Sequence, residues 1–489
     1  MSLPGWTQKF KESNTTIKCI KGQYYKYEVR YQYSKQKRRS VLKSTKLLGK
    51  ITEDNGFIPS HKNELREKAT EIPKVDIKTY GIYAIFEALL RDEAKHLQDI
   101  FGKETAEAVL SFALMRWAYH SPIKRLAYYH SHDFCSEFWG DGKLLSDKII
   151  TEILKNIGEN REKVLDWMKQ LLPSSQANHL VLMDSTHVMS ESENLGINVP
   201  GYNPEFDFGK QIRLMYMFSQ NFKRPIYYRM INGNIPDVSS ISACIDEIGK
   251  KDIILVADKG FYSAQNVEAL TKKQVKFIIP LHRNNKAINY APLLQNDFKR
   301  QNGHFLYQKR VIWHYSYELE GQKYVTYLDD KLRVEEEQNY LLKVEGNYEG
   351  YTMDNYYAHL HTFGTLTVTY DTDDDVSSPQ QLFEIYKQRN EIEVMFDGYK
   401  NFLEADRTYM QNRYVLEGWL FVNFLAMLAY YKLFDRLRSA KLLAKISPKD
   451  VIERSKAIYQ MRIRGEWSRM EMPVKAKRLY KTLGIDNLT

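Results

Sequence analysis

Two aspartates each end a short apolar segment, a position suited to a ligand of a divalent cation. Asp184 ends the segment HLVLMD, and Asp258 ends the segment DIILVAD. If both segments are neighbouring buried strands, the two carboxylates can share Mg²⁺, which prefers oxygen ligands and keeps room for water and phosphate. Two such ions can clamp both oxygens of a phosphoryl transfer. The alternative is that each aspartate only caps the turn after its strand.

A third carboxylate comes from residues 386–400, which read YKQRNEIEVMFDGYK. On a helix that advances by about 100° per residue, four of these side chains share one narrow stripe. They are Tyr386, Arg389, Glu393 and Lys400. Glu391 faces away, and Asp397 borders the stripe, either as a partner of the site or as a solvated acid. This pattern favours Glu393 as a metal ligand beside cations that hold phosphates. The alternative is a surface ion pair between Arg389 and Glu393.

The excess positive charge of the chain lies near its N-terminus. The net charge is +10 over 489 residues, whereas residues 1–50 hold 13 lysines and arginines against two glutamates. A basic terminal region indicates a polyanionic partner, most often nucleic acid. A solvated basic tail would have the same composition.

Cysteine usage and hydropathy favour a cytoplasmic protein without a membrane span. Cys19, Cys135 and Cys244 lie far apart without a CxxC motif, which argues against a disulfide framework and a zinc site. The N-terminus lacks the apolar core of a signal peptide. The longest apolar run, residues 418–431, contains Asn423 and is too short to cross a bilayer, so it predicts a buried helix.

Local patterns predict the elements that would position the three acids. Residues 24–33 alternate as a strand does. Ser146, and Ser378 before Pro379, are expected to cap helices. The helix after Ser146 also has the shape of the second helix of a helix-turn-helix, although an ordinary packed helix fits equally well. Four segments after residue 290 are expected strands: FLYQKRVIWHYSYEL, QKYVTYL, NYLLKVEG and TFGTLTVTY.

These patterns divide the chain into six expected regions. They are a basic β-rich DNA-binding module (residues 1–75), a helical region for DNA binding or dimerisation (76–175), the first part of an α/β core (176–289), a β-rich insertion (290–372), the second part of the core (373–425) and a C-terminal helical region (426–489). Strands followed by alternating helices and strands indicate a mixed sheet with helices on its faces.

Four sequence blocks, taken together, resemble one known family. The spacing Y-x2-R-x3-E-x6-K of residues 386–400 is similar to the signature of bacterial DDE transposases of the insertion-sequence "4" superfamily, in the long subgroup with a β-rich insertion. LMDSTHV looks like the block of the first catalytic aspartate, and LVADKGFYS like that of the second. MINGNIPD is similar to the G-N-x-x-D turn between them. The turn residues here are Gly233, Asn234 and Asp237.

The resemblance implies a ribonuclease-H-like core, with its mixed sheet and flanking helices interrupted by the β-rich insertion. It implies a catalytic triad that binds two Mg²⁺ ions, for which Mn²⁺ can substitute. The implied triad is Asp184, Asp258 and Glu393. The DNA-binding residues implied or suggested by it are Tyr386, Arg389, Lys400, Lys259 and Trp313. Lys400 would contact a terminal phosphate, Lys259 a phosphate, and Trp313 a flipped base during hairpin formation.

The expected function is that of a transposase from a bacterial insertion sequence, an endonuclease that moves a mobile element. It would bind the terminal inverted repeats as a homodimer on double-stranded DNA, then cut the ends and join them to target DNA. Such a protein would work in the cytoplasm, associated with the nucleoid. The alternatives are a structure-specific nuclease of the same fold, which cuts without joining, and an inactive transposase-derived DNA-binding protein.

Overall fold

The computed structural model describes residues 3–34, 39–60, 75–138, 145–172, 178–200, 209–233, 240–249, 252–295, 297–463 and 465–485. The chain forms two compact units. The first comprises Met1–Ile77 and Met461–Arg469, and the second comprises Lys78–Gln460 and Met470–Thr489. Asn234 and Asp237 of the G-N-x-x-D turn lie outside the described residues.

The first unit contains a four-stranded antiparallel sheet in the order β1-β2-β3-β4. The strand predicted from the alternation of residues 24–33 is confirmed as β2. Ile17, Val29 and Ile51 are buried in this unit. Its N-terminal elements are α1 (Gly5–Gln8), β1 (Thr15–Ile20), β2 (Gln23–Ser34), β3 (Arg39–Thr52) and β4 (Gly56–Pro59).

Helices dominate the chain between residues 81 and 169. The predicted cap of the helix after Ser146 is confirmed, because the Ile149 N–H donates to the Ser146 hydroxyl oxygen at 3.3 Å. The 3₁₀ turns of this region are Ile123–Arg125 and Phe134–Glu137. The other elements are β5 (Asp76–Thr79), α2 (Gly81–Phe101), α3 (Lys103–Tyr119), α4 (Leu126–His132), α5 (Asp147–Glu159) and α6 (Arg161–Lys169).

A large mixed sheet follows, and five of its strands have the ribonuclease-H-like order β9-β8-β6-β10-β11. Strand β8 is antiparallel to β6 and β9, whereas β6, β10 and β11 are parallel. The predicted fold class is therefore confirmed. The elements are β6 (His179–Ser190), β7 (Val199–Pro200), β8 (Lys210–Ser219), β9 (Arg224–Asn232), α7 (Ile241–Ile248), β10 (Ile253–Ala257), α8 (Ala264–Lys272) and β11 (Lys276–Pro280).

The strands after residue 300 extend this same sheet, because β15 pairs with β11 and the order continues β15-β14-β13-β12. The prediction of a strand over NYLLKVEG is wrong, because that segment lies in a helix whose N-cap, Asp329, accepts from two backbone N–H groups. The elements are α9 (Phe298–Gln301), β12 (Gly303–Tyr307), β13 (Arg310–Leu319), β14 (Gln322–Asp329), α10 (Asp330–Glu345), α11 (Met353–His359) and β15 (Thr365–Asp371).

The C-terminal part of the chain begins with the predicted cap, since Ser378 accepts from the Gln381 N–H and Pro379 is the first helical residue. A π-helical turn, Gly398–Phe402, follows α13. The elements are α12 (Pro379–Lys387), α13 (Asn390–Asp397), β16 (Arg407–Thr408), α14 (Arg413–Ser439), α15 (Pro448–Ser455), β17 (Tyr459–Ile463), β18 (Glu466–Arg469) and α16 (Val474–Thr482).

Helix α14 is largely buried in the second unit, as the apolar run of residues 418–431 predicts. It is long and apolar enough to cross a membrane, but 83% of its most apolar window is buried inside the protein. Two glycines allow α5 to approach it closely. A Cβ at Gly158 or Gly418 would clash with a backbone carbonyl of the opposite helix, so glycine is required at this crossing.

Candidate active site

Asp184 and Asp258 lie side by side at the carboxyl end of the parallel strands. Met183 of β6 pairs with Ala257 of β10, so the two aspartates follow at the same level of the sheet. Strand β10 ends there, and Asp258 leads into the 3₁₀ turn Lys259–Phe261. The prediction that Asp184 ends its strand is wrong, because β6 continues to Ser190 in register with β8. Pairing with β8 keeps β6 extended beyond the point where β10 stops.

A single guanidinium joins the three acids. Arg389 Nη1 lies 3.0 Å from Asp184 Oδ2. Its Nη2 lies 3.8 Å from Asp258 Oδ1 and donates to Glu393 Oε1. The Ser185 N–H donates to Asp184 Oδ1 at 2.8 Å, which orients that carboxylate. Three carboxylates from β6, from the end of β10 and from α13 therefore converge on Arg389.

The helix of residues 386–400 is not continuous, contrary to the geometry used in the stripe calculation. Helix α12 ends at Lys387, Arg389 is the N-cap of α13, and Lys400 lies on the π-helical turn. The predicted contact between Arg389 and Glu393 still forms despite the break, because the two residues are four positions apart on one helical turn. A uniform 100° step does not apply as far as Lys400, which is half-buried.

Burial and charge at the site favour the ionised form of Arg389. Its side chain is 14% exposed, compared with 52% for Glu393. Burial alone would lower the pKa of Arg389, but the neighbouring Asp258 and Asp184 outweigh it and raise that pKa. Burial raises the pKa of the Tyr386 phenol, and Asp258 adds to this effect while Arg389 opposes it. Tyr386 therefore belongs to the same electrostatic cluster.

The donor set suits hard divalent cations, although the acids do not yet form a closed metal site. Three carboxylates against one guanidinium leave a surplus of two negative charges, and carboxylate oxygens are the ligands that Mg²⁺ prefers. Within the residues that the structure describes, no three acidic, His or Cys side chains lie close enough to hold one ion. Arg389 occupies the space between the acids, so Asp184, Asp258 and Glu393 fit a metal once that side chain moves aside.

Glu391 lies away from the three acids, on the side that the stripe calculation gives it. Lys223 Nζ donates to Glu391 Oε1 at 2.6 Å, and the Gln220 amide donates to Gln388 Oε1 at 2.7 Å. These contacts tie the region of the signature residues to the turn between β8 and β9. The sequence gives no local sign of them, because Lys223 and Glu391 are 168 positions apart.

The remaining residues suggested by the sequence occupy separate places. Lys259 is exposed on the turn directly after Asp258. Trp313 lies in β13, with its ring against His304 and Lys299 Nζ 5.4 Å from its centroid. In the described part of the chain, the contacts of Trp313 are made within the extension of the sheet and not with the three acids.

Comparison with known proteins gives a family match for the chain. A family profile described as "Transposase DDE domain" matches residues 175–429. No curated protein matches the chain. Solved structures that match include a piggyBac transposase synaptic complex with hairpin DNA, at 11% identity and a TM-score of 0.42 over 72% of this chain and 70% of that one. Another is a Mos1 transposase paired-end complex with the left transposon end, at 14% identity and a TM-score of 0.15 over 35% and 57% of the two chains.

The match to the family profile begins just before β6 and ends within α14, so it includes each of the three acids. It covers slightly more than half of the 489 residues. The chain therefore belongs to the DDE transposase family and is a DNA-cleaving enzyme of that family.

Proposed function

We propose that this transposase belongs to a bacterial insertion sequence of the "4" superfamily. It binds the terminal inverted repeats of its element, cleaves the element ends and joins the freed 3′-hydroxyl groups to target DNA. Asp184, Asp258 and Glu393 are its catalytic acids and metal ligands. The observation that carries the proposal is their convergence on Arg389 from three distant parts of the chain.

The acids hold divalent cations and do not attack DNA themselves. Bound Mg²⁺, or Mn²⁺ in its place, would activate a water or 3′-hydroxyl nucleophile and stabilise the leaving oxygen at the scissile phosphate. The two aspartates are suited to a shared ion because they lie level on adjacent parallel strands. Glu393 is the most exposed of the three, so it faces the side from which DNA can enter.

The cationic and aromatic residues of the signature position the DNA. Arg389 is released when cations neutralise the acids, and its planar guanidinium can then bind a phosphate through two hydrogen bonds. Tyr386 lies in the same cluster and can stack on a base near the cut. Lys400 and Lys259 are proposed to contact phosphates. Trp313 is the candidate for holding a flipped base if the element is excised through a hairpin.

The basic N-terminal segment and a second copy of the chain complete the proposal. The charge of +11 in residues 1–50 would supply salt-dependent affinity for the phosphate backbone. Residues 1–175 would recognise the inverted repeats, and a homodimer would hold both ends together. The protein would act in the bacterial cytoplasm, on the nucleoid.

A strand-transfer assay tests this proposal. The substrate is labelled DNA from the flanks of the gene, where the inverted repeats should lie, incubated with a target plasmid and Mg²⁺ or Mn²⁺. Joined products are expected. Cuts without joining would instead support a nuclease, and a mobility shift without cuts would support an inactive DNA-binding protein. The Glu393→Gln variant is the inactive control, and Glu391→Gln is the matched control on the same helix.

A further inference from the structure

A cleft of about 870 Å³ lies beside the core sheet, separate from the three acids. One wall is the 3₁₀ turn Ile123–Arg125 of the helical region, and the other is the segment Glu404–Met410, which contains β16. Both walls belong to the second unit. The function proposed above does not use this cleft.

The position of β16 places the cleft on the same edge of β6 as the acids. Strand β8 covers one edge of β6 along its length, and β10 covers the other edge only as far as Met183. Strand β16 takes up that second edge again at Met189 and Ser190. Met189 is five positions beyond Asp184, which corresponds to about 16 Å along a strand. Asp184 and Asp258 lie at the end of β10, where the gap between β10 and β16 begins.

The walls of the cleft carry exposed groups that suit a nucleic-acid strand. Lys124 and Arg125 are exposed on the turn, and neither forms an ion pair with another residue in the described part of the chain. Across the cleft, Arg407 lies in β16 and Tyr409 is 68% exposed. Cations that bind phosphates, together with an aromatic ring, form the usual combination for binding a DNA strand.

The floor of the cleft is held by a buried arginine. Arg116 is 4% exposed. Its Nε donates to Asn423 Oδ1 at 2.9 Å, its Nη1 donates to the His120 carbonyl at 2.9 Å, and its Nη2 donates to the Leu403 carbonyl. These bonds connect α3, α14 and the chain just after the π-helical turn. These bonds therefore hold three separate segments of the second unit together at the floor of the cleft.

Two residues that line the cleft have a left-handed backbone conformation. His120, the C-cap of α3, and Glu404 both have φ of 50°, which is uncommon for glutamate but more frequent for histidine. Their side chains approach each other, with 3.9 Å between His120 Nδ1 and Glu404 Oε1. The acids that line the cleft are Asp147, Glu404 and Asp406, and Asp406 lies 4.0 Å from Arg407.

We propose that this cleft binds the sugar–phosphate backbone of a DNA strand about five nucleotides from the phosphate that reacts at the acids. This spacing applies to a duplex whose axis runs along β6, since the separation of about 16 Å along the strand is then divided by the axial rise of about 3.4 Å per nucleotide. Lys124 and Arg125 contact phosphates, and Tyr409 packs against a sugar or base. The inference rests on the proposed function, since it extends the path of the same DNA.

The salt dependence of DNA binding tests whether Lys124 and Arg125, on one wall of the cleft, contact phosphates. The probe is a 40-base-pair duplex of arbitrary sequence, titrated at several salt concentrations with the full chain. The Lys124→Ala/Arg125→Ala variant is expected to lower the slope of log K against log salt by about 1.8, because each phosphate contact contributes about 0.9. The matched control is Lys272→Ala/Lys331→Ala, which removes the same charge from α8 and α10, where both lysines face glutamates.

The inference is overturned if the cleft variant keeps the wild-type slope, or if the control variant loses as much. The conservative variant Lys124→Arg/Arg125→Lys should restore the slope, which separates lost contacts from misfolding. A photoreactive amino acid at position 409 should cross-link to element-end DNA four to six nucleotides from the cut, as expected from the spacing above. Cross-links only outside that window would also overturn it.

These outcomes are distinct from a failure of the proposed function. If the wild-type protein joins element ends while the cleft variant keeps its slope, only the cleft assignment fails. If the wild-type protein cuts and joins nothing while the slope falls as expected, the cleft binds DNA and the transposition proposal fails.

Discussion

The acid site and the cleft lie on one edge of β6 but have opposite chemistry. At the acids, three carboxylates surround one guanidinium, so negative charge is in excess. At the cleft, exposed Lys124 and Arg125 face an exposed tyrosine. Three acids line the cleft as well, but Asp406 lies 4.0 Å from Arg407 and Glu404 lies 3.9 Å from His120. The first site is suited to cations and the second to phosphates.

This difference shows how one strand edge can serve two steps of DNA recognition. Strand β10 ends at the level of Asp184 and leaves a gap, and β16 closes the edge again about 16 Å further along. Catalysis requires the gap, because DNA and metal must reach the carboxylates. We expect the DNA strand to be bound beyond the gap, where β16 pairs with β6. Four predictions test this separation.

The largest effect is expected at Glu393. The Glu393→Gln variant should reduce cleavage of element ends by roughly a thousandfold or more, since a preorganised charged group at a reacting centre contributes about that much. Binding of the 40-base-pair duplex should remain within about twofold, because the cleft and the N-terminal segment are intact. Gel assays of cleavage and fluorescence titrations of binding measure the two quantities. Equal loss of both would contradict the separation of the two sites.

Arg389 should have the next largest effect, and it should act on metal binding even without DNA. Removal of its guanidinium in Arg389→Ala leaves three carboxylates without their counter-ion, so the affinity for Mn²⁺ should rise about tenfold, or ~1.4 kcal/mol. Electron paramagnetic resonance of free Mn²⁺ measures this. The Arg389→Lys variant keeps the charge and should stay close to the wild type. Unchanged affinity in Arg389→Ala would show that the guanidinium does not compete with metal.

A smaller effect is expected at His120, which lines the cleft, and it concerns the pH dependence of the free energy of unfolding. Burial lowers the pKa of His120 below 6.5 and outweighs Glu404, while Lys456, Arg116 and Lys449 lower it further. As the pH falls, the His120 imidazole therefore becomes protonated at a higher pH in the unfolded chain than in the folded chain. The stability contributed by neutral His120 is therefore present above pH 6.5 and lost as the pH falls from there to the folded pKa.

The His120→Asn variant removes this titration, and asparagine tolerates the positive φ. Urea unfolding at pH 5.5 and 7.5 should show a smaller pH dependence of the free energy of unfolding than in the wild type. An identical pH dependence would mean that His120 is not held neutral, and the cleft would then gain a further cation.

The smallest effect is expected at Glu391. The Glu391→Gln variant loses the ion pair with Lys223, in which Glu391 is 38% exposed. Pairs of this exposure contribute about 0.5 kcal/mol, so a small decrease in the free energy of unfolding is expected. Cleavage should stay within about twofold. If Glu391→Gln abolished cleavage instead, the assignment of Glu393 as the third acid would be wrong.

Local sequence patterns predicted many of the elements correctly. Alternation in residues 24–33 predicted β2, and the side-chain caps predicted the helices after Ser146 and Ser378. These predictions succeed because a cap or an alternating face depends on residues only a few positions apart. The segment NYLLKVEG failed for the same reason. Its short apolar pattern suits a strand or a helix, and the cap at Asp329, ten positions earlier, decides for the helix.

The sequence by itself determined which acids to consider, because strand patterns and helical spacing select Asp184, Asp258 and Glu393 before any contact is known. Only the tertiary structure placed them around Arg389, broke the helix at that residue and extended β6 to Ser190. The cleft likewise depends on Arg116, which binds Asn423 across 307 positions. Contacts between residues so far apart in sequence depend on the order of the strands and on packing in the buried core. Local sequence patterns therefore cannot predict them.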